Sequence, residues 1–230
     1  VVVNVNRKGE SVGAFYGYQS QGIVRERHLL YTPPYNGTRL QEGDIKFIDK
    51  DGDGNVTEKD RTVIGNPNPS YRYGLSTRAA WRNLSLTVTM DGAADFDIMN
   101  LNLLNTATFA TGNYSNLRSD SYRKAYPAGG EPRLNAVGAD VVSSRFVEDG
   151  SYLRLQNLSL GYTFPDKWTR KAGISKLRVY VQGSNLFTWT DYSGYNPEVS
   201  NHANDALRPG EDYCSYPLAR TFSVGINFNL

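Results

Sequence analysis

The end of the 230-residue sequence alternates strictly between apolar and polar or small side chains. The apolar positions are Phe222, Val224, Ile226, Phe228 and Leu230, and the residues between them are Thr221, Ser223, Gly225, Asn227 and Asn229. A period of two predicts a β-strand with one apolar face. Residues 84–91, 158–162 and 177–182 alternate in the same way, and residues 71–81 do so more weakly. Leu153 and Leu155 have the opposite parity to residues 158–162, which predicts a bulge near residues 156–157.

The connections between these predicted strands are of two kinds. Residues 81–83 form a tight turn and residues 165–175 a fairly short connection, whereas 92–150 and 190–219 are long and polar. Short and long connections on alternate sides are typical of outer-membrane β-barrels. Trp81 and Trp168 lie near the short connections and Trp189 near a long one, as two interfacial aromatic girdles require. A soluble β-sandwich is the alternative interpretation of the alternation alone.

Hydropathy excludes a helical membrane protein, because no apolar run approaches the ~20 residues that a spanning helix needs. A transmembrane barrel tolerates the mean hydropathy of −0.51, since only alternate residues face lipid. We therefore predict an all-β chain that supplies strands of a transmembrane antiparallel barrel. About five strands cannot close a barrel, which needs at least ~8, so we expect the missing strands to precede this segment. The expected division is an extracellular region over residues 1–70 and the last barrel strands over residues 71–230, with long loops at 92–150 and 190–219.

Charge and residue usage argue against several other functions. The net charge is only +2 and no basic block is present, so we expect no nucleic-acid partner. Cys214 is the only cysteine, and no nucleophile motif links it to His28 or His202. Five acidic residues in predicted loops could in principle form a glycosidase pair, but loop carboxylates are usually solvated. These residues are Asp95, Asp97, Glu148, Glu211 and Asp212. We therefore do not expect an enzyme.

Residues 49–60 fit an EF-hand-type calcium loop. The predicted ligands are the side chains of Asp49, Asp51, Asp53 and Asp60, the main-chain carbonyl of Asn55, and Thr57 directly or through water. Because Asp60 is shorter than the usual closing Glu, we expect the modest affinity of extracellular sites, which work at ~10⁻⁴–10⁻³ M calcium. An Asp- and Gly-rich turn without metal is the alternative. Thr57 and Asp60 also predict a capping box that opens a short helix. The strand-like flank at residues 45–48 argues against a helix–loop–helix pair.

Several segments, in order along nearly the whole chain, resemble the SusC/RagA family of TonB-linked outer-membrane proteins. They are GDIKFID at 43–49, DGDG at 51–54, RTVIGNPNP at 61–69, RFVEDGSYLRLQNLSLGY at 145–162, NLFTWTDYSGYNPE at 185–198 and SYPLARTF at 215–222. The resemblance implies a barrel of about 22 strands in the outer membrane. It also implies an N-terminal plug energised by TonB–ExbB–ExbD, a SusD-like lipoprotein lid, and import of oligosaccharides or peptides. Such barrels usually end in Phe, whereas this sequence ends in Leu230.

On this interpretation the long loops contact the lid and the substrate, and tyrosines are the best candidates for those contacts because they combine a flat apolar ring with a hydroxyl. The candidates are Tyr122, Tyr126, Tyr192, Tyr195, Tyr213 and Tyr216. Each could instead pack its own loop. The alternative function is a secreted, calcium-dependent carbohydrate-binding β-domain, which would be soluble without detergent.

Overall fold

The computed structural model describes residues 2–107, 119–123, 129–199, 201–202 and 205–229. Within those ranges the strands are β1 (Asn4–Val5), β2 (Ala14–Gly17), β3 (Ser20–Ile23), β4 (Ile45–Phe47), β5 (Thr62–Gly65), β6 (Tyr71–Trp81), β7 (Leu84–Ala94), β8 (Asp97–Asn100), β9 (Val147–Asp149), β10 (Tyr152–Thr163), β11 (Lys176–Thr190), β12 (Glu211–Asp212) and β13 (Thr221–Asn229). The α-helices are α1 (Leu101–Ala107) and α2 (Asp166–Thr169). Among the described residues, no helix has both the length and the apolar character needed to cross a membrane.

The chain divides into two compact units, each built from three segments. The loop unit comprises Val1–Asn68, Phe96–Asp149 and Glu198–Ser215, and the sheet unit comprises Pro69–Asp95, Gly150–Pro197 and Tyr216–Leu230. The first boundary lies close to the predicted division at residue 70. Most residues of the two predicted long loops, however, belong with residues 1–68 in one folded unit, which local sequence patterns did not indicate.

The sheet unit is a five-stranded antiparallel meander in the order β6-β7-β10-β11-β13. All five strands predicted from alternation are present, and they are 9 to 15 residues long. A tilted transmembrane strand needs about 9–11 residues, so each is long enough to span a bilayer. Arg82, with φ of 52°, and Asn83 form the two-residue turn between β6 and β7.

The predicted bulge is confirmed in β10. Its pairing with β7 shifts between Leu155 and Asn157 and leaves Gln156 as the extra residue. In the pairing with β11, two residues, Asn185 and Leu186, lie opposite Gln156. An extra residue reverses the parity of the strand, so leucines of opposite parity in the sequence lie on one face of the sheet.

Cross-strand register shows that the sheet is amphipathic. Residues opposite each other in a sheet share a face, and Leu160 pairs with both Leu86 and Val181, while Val181 pairs with Val224. The neighbouring rows are also apolar. The aliphatic and large aromatic residues of this apolar face are Tyr71, Tyr73, Leu75, Ala79, Trp81, Leu84, Leu86, Val88, Met90, Ala94, Leu153, Leu155, Leu158, Leu160, Tyr162, Leu177, Val179, Val181, Phe187, Trp189, Phe222, Val224, Ile226 and Phe228. On the opposite, polar face, one row runs through Arg78, Thr87, Ser159, Gln182 and Ser223.

The apolar face is not a buried core within this chain. Leu160 and Val181 lie on central strands yet are 52% and 50% exposed, and Val224 on the edge strand is 74% exposed. A sandwich would bury these central side chains against a second sheet. The soluble-sandwich interpretation therefore does not describe this sheet.

The loop unit has its own apolar interior. One cluster contains Val3, Phe15, Met99, Leu104, Val142 and Phe146, and a second contains Tyr18, Ile45, Phe47 and Val56. Three small sheets surround these clusters, with the orders β1-β2-β5, β12-β8-β9 and β3-β4. Residues 92–150, predicted as a polar loop, thus supply four of the buried residues in the first cluster.

Candidate functional site

Two buried apolar residues anchor the acidic loop at residues 49–60, one just before it and one inside it. Strand β4 leads into it with Phe47 buried, and Val56 within the loop is 1% exposed. The Val56 amide donates to the carbonyl of Pro34, and the Val56 carbonyl accepts from the amide of Asn36, both at 2.8 Å. As predicted, the flank is a strand rather than a helix.

Three carboxylates converge inside the loop. One oxygen from each of Asp49, Asp51 and Asp53 lies within 4.8 Å of the others. Gly52 and Gly54, with φ of 75° and 86°, turn the chain so that the intervening acidic side chains meet. The two oxygens of Asp49 accept from the amides of Gly52 and Gly54, both at 2.8 Å. These backbone hydrogen bonds hold the loop in its folded-back shape.

The three carboxylates fit a calcium ion. Ligand oxygens at about 2.3–2.6 Å from one calcium are at most ~5.2 Å apart, a limit that the cluster meets. Asp51 and Asp53 each accept a backbone amide on one oxygen, from Asp53 at 3.1 Å and from Asn55 at 2.8 Å. Each therefore has its second oxygen to offer a cation, and the donor set is the hard oxygen chemistry that calcium prefers.

Asp60 lies outside this carboxylate cluster and is occupied by the backbone. It is 1% exposed, and its carboxylate accepts from the amides of Lys50 at 2.6 Å, Asp51 at 3.3 Å and Thr57 at 2.7 Å. The predicted capping box with Thr57 is confirmed, and it opens the short 3-10 helix Glu58–Asp60. Burial alone would raise the pKa of Asp60, but these backbone hydrogen bonds outweigh it and lower the pKa.

The two remaining predicted ligands also have structural partners. The Asn55 side chain accepts from the amide of Gly37 at 2.9 Å, and the Thr57 hydroxyl accepts from the amide of Lys59 at 3.3 Å. The structure therefore groups three of the six predicted ligands and shows Asp60 and Thr57 bonded to the backbone of the loop. The prediction for Asn55 concerns its main-chain carbonyl and stays a prediction.

The candidate tyrosines fall into two groups. Tyr122 is buried in the loop unit, where its hydroxyl donates to the Glu42 carboxylate, and Tyr192 is 5% exposed in the sheet unit. Both are therefore largely covered, and Tyr122 bonds to a chain segment distant from its own loop. Tyr195, Tyr213 and Tyr216 are 81%, 54% and 90% exposed and can meet a partner. Tyr126 lies outside the described residues.

The acidic residues weighed as a glycosidase pair also have structural partners. Glu211 is 2% exposed and contacts Arg208 at 3.3 Å and His202 at 3.5 Å. Glu148 accepts from Asn100 at 2.8 Å, and Asp97 accepts from the amide of Asn66 at 2.8 Å. Asp212 accepts from the amide of Ser215 at 3.2 Å, and Asp95 belongs to the sheet unit. Cys214 is an exposed free thiol.

Sequence reasoning did not single out a group of arginines that the loop unit brings together. Arg39 is far from Arg123 and Arg133 in sequence, but all three line one pocket. No local sequence motif contains all three, so the group is recognisable only in the folded structure.

Comparison with known proteins agrees with the sheet and the sequence segments. No family model matches the chain. TonB-dependent receptor P3 of Formosa agariphila is 34% identical over 229 residues, covering 96% of this chain and 22% of that protein. TonB-dependent receptor SusC of Bacteroides thetaiotaomicron is 25% identical over 233 residues, covering 98% and 20%. A structure of the RagAB peptide transporter matches with a TM-score of 0.75 at 21% identity, over 98% of this chain and 24% of that one.

A meander of long antiparallel strands with one exposed apolar face defines the wall of a transmembrane-type β-barrel, and the structures it resembles are TonB-dependent transporter barrels. The chain belongs to the SusC/RagA family of TonB-dependent receptors, as its sequence segments predicted. Its relatives are receptors and transporters rather than enzymes. The chain spans about a fifth to a quarter of the length of these relatives.

Proposed function

We propose that this chain forms part of the barrel wall and outer loops of a TonB-dependent importer in the outer membrane of a Gram-negative bacterium. In this proposal the apolar face of the sheet lies against lipid and the polar face lines the lumen. The strands β7–β10 and β11–β13 are joined by long connections at one end of the sheet, which we place outside the cell. Trp81 and Trp168 then lie at the periplasmic interface and Trp189 at the outer one.

The exposed apolar face carries this proposal. Water would destabilise a sheet that leaves Leu160, Val181 and Val224 half or more exposed, whereas lipid makes the same face favourable. The separation of the two tryptophan levels along the strands also matches the thickness of the membrane. On β10, Leu153 lies opposite Trp189, and Tyr162 lies opposite Leu84, which in turn pairs with Trp81. The two tryptophan levels are therefore nine residues apart along β10. At a barrel tilt of 35–45° this spans roughly 22 Å, close to the ~25 Å apolar band of such barrels.

The cargo and partners are proposed from the family. The RagAB protein that it resembles is a peptide transporter, and we propose that this chain serves the uptake of an oligosaccharide or a peptide. We further propose that a SusD-like lipoprotein covers the outer opening and that TonB–ExbB–ExbD acts through a plug outside this segment. Tyr195, Tyr213 and Tyr216 are the exposed aromatic side chains offered to the lid or the substrate.

We also propose that the acidic loop binds one calcium through Asp49, Asp51 and Asp53, with the Asn55 carbonyl as a further ligand. The convergence of three carboxylates supports this assignment. Bound calcium would neutralise their mutual repulsion and stabilise a connection whose ordering costs backbone entropy. Its role would be structural, in a loop anchored by Val56.

Cysteine scanning in membranes tests the barrel. In a Cys214→Ser background, single cysteines at Ser223, Val224, Ile226 and Asn227 sample both faces of β13. A membrane-impermeant aqueous thiol reagent should label the Ser223 and Asn227 positions in preference to Val224 and Ile226. Reversed labelling would refute the orientation. A protein that stays soluble without detergent would instead favour the secreted carbohydrate-binding domain.

A further inference from the structure

The loop unit contains a pocket of about 570 Å³, within the size range of small-molecule sites. Its lining includes Arg39, Arg123, Arg133, Leu40, Glu42 and Tyr122. We call it the arginine pocket. Three guanidinium groups around one cavity are costly to assemble, because like charges repel one another.

One arginine is fixed by a buried acid. Arg133 Nε donates to Asp44 Oδ1 at 2.7 Å, and the Asp44 side chain is fully buried. Asp44 also accepts from the amides of Val137 at 2.9 Å and Gln41 at 2.7 Å. This network holds Arg133 in one orientation at the pocket wall.

The other two arginines are available to bind a ligand. Arg39 and Arg123 are exposed, and neither has a hydrogen bond or an ion pair in the described part of the chain. Among the described residues of the lining, the acidic group is Glu42, which accepts from the Tyr122 hydroxyl. That hydrogen bond raises the pKa of Tyr122, so the phenol stays protonated and keeps Glu42 in place.

We propose that the arginine pocket binds the carboxylate or sulfate group of an acidic sugar within an oligosaccharide cargo. This inference rests on the importer function proposed above and narrows its substrate class. A guanidinium group presents paired N–H donors that match the two oxygens of a carboxylate or a sulfate ester. Arg39 and Arg123 would make these contacts, and Arg133 would support them from its fixed position.

The rest of the lining favours a sugar over an acidic peptide. Glu42 and Gln41 accept hydrogen bonds from hydroxyl groups, and Glu42 repels a second anionic group placed near it. Leu29 and Leu40 offer an apolar surface to the C–H face of a ring. A ring with one anionic group among several hydroxyls satisfies all of these features together.

Calorimetry on the intact receptor in detergent tests this inference. The acidic probes are trigalacturonate and a sulfated chondroitin tetrasaccharide; maltotriose is the neutral sugar control and triglutamate the acidic peptide. We expect at least one acidic sugar to bind about tenfold or more tightly than maltotriose, and binding to weaken as salt is raised. Arg39→Gln and Arg123→Gln should each weaken it about tenfold.

Arg170→Gln is the matched control, because Arg170 is exposed and lies in the sheet unit. It should leave the affinity unchanged. Unchanged thermal unfolding of the pocket variants would show that they remain folded, and Arg39→Lys and Arg123→Lys keep the charge if the Gln variants unfold. Equal affinity for maltotriose and both acidic sugars, tighter binding of triglutamate, or full affinity in the Arg39→Gln/Arg123→Gln double variant would each overturn the proposal. Failure here leaves the cysteine-scanning result for the barrel intact, so the two proposals are separable.

Discussion

The carboxylate of Asp60 accepts a hydrogen bond from the backbone amide of Lys50 at 2.6 Å, which ties the last acidic residue of the loop to its first turn. The same carboxylate caps the short helix that ends the loop through the amide of Thr57. One buried side chain thus closes the acidic loop through hydrogen bonds to its backbone.

Replacing Asp60 with Asn should destabilise the loop by about 1–3 kcal/mol, because hydrogen bonds to a buried charged acceptor are lost or weakened. Hydrogen exchange at the amides of Lys50 and Thr57 measures this effect, and both should exchange faster. Glu58→Gln is the control, since Glu58 is exposed in the same helical turn. Equal protection in the two variants would contradict the assigned role of Asp60.

The loop should also lose stability in acid. The pKa of Asp60 is lower in the folded chain than in the unfolded chain, so ionised Asp60 stabilises the fold above the unfolded value of about 3.9. As pH falls below that value and then through the lower folded pKa, this contribution declines and is lost. Protection factors of the Lys50 amide, corrected for intrinsic exchange, should therefore hold from pH 7 to 5 and drop in this acidic range. No drop at acid pH in the wild type, or the same drop in Asp60→Asn, would rule out this linkage.

Calcium binding should depend on the converging carboxylates. Asp51→Ala and Asp53→Ala should each remove most of the calcium heat in calorimetry of the intact receptor, because each deletes a proposed ligand. Glu58→Ala should bind like the wild type. If all of these proteins bind calcium equally, the acidic loop is a turn without metal.

A charged residue on the apolar face of the sheet should destabilise the receptor in the membrane. Val181→Arg places a guanidinium group on that face, and we expect a cost of about 2–4 kcal/mol if it meets the middle of the bilayer. Gln182→Arg is its matched control, since the neighbouring residue lies on the polar face. The yield of folded receptor in outer-membrane fractions should fall for Val181→Arg alone, and equal yields would argue against lipid on this face.

Two glycines in the sheet should respond differently to a methyl group. A Cβ at Gly92 would lie 2.3 Å from the Tyr73 ring and 2.5 Å from the backbone oxygen of Tyr152, whereas at Gly74 the nearest atom is 3.7 Å away. Gly92→Ala should therefore destabilise the sheet by about 1–3 kcal/mol and Gly74→Ala by much less. Urea unfolding of the receptor in lipid vesicles gives both values, and equal stabilities would show that the Tyr73 ring moves without cost.

The strands were predictable because alternation is local. The alternation of β13, the bulge in β10 and the capping box at Thr57 all depend on neighbours in sequence, and each was anticipated. The loop unit was not, because Met99, Val142 and Phe146 pack against residues from the distant first segment. The segments that contain these few buried residues are polar overall, so their composition gave no sign of a core. Composition alone also does not indicate which loop tyrosines are buried.

Gln156 has a consequence for how β10 tolerates change. Leu155 pairs with Met90 and Asn157 with the adjacent Thr89, so Gln156 has no partner of its own on β7. Deleting Gln156 would leave those pairs in place, and the shortened strand would alternate regularly with each side chain on its present face. Arg154, which is 4% exposed and bonded to Asn196 at 3.0 Å, would stay on the polar side. The bulge is therefore a point where the pairing of β10 with β7 accepts the loss of a residue, whereas deleting Ser159 from the regular part while residues 160–163 stayed paired would turn Leu158 to the polar side.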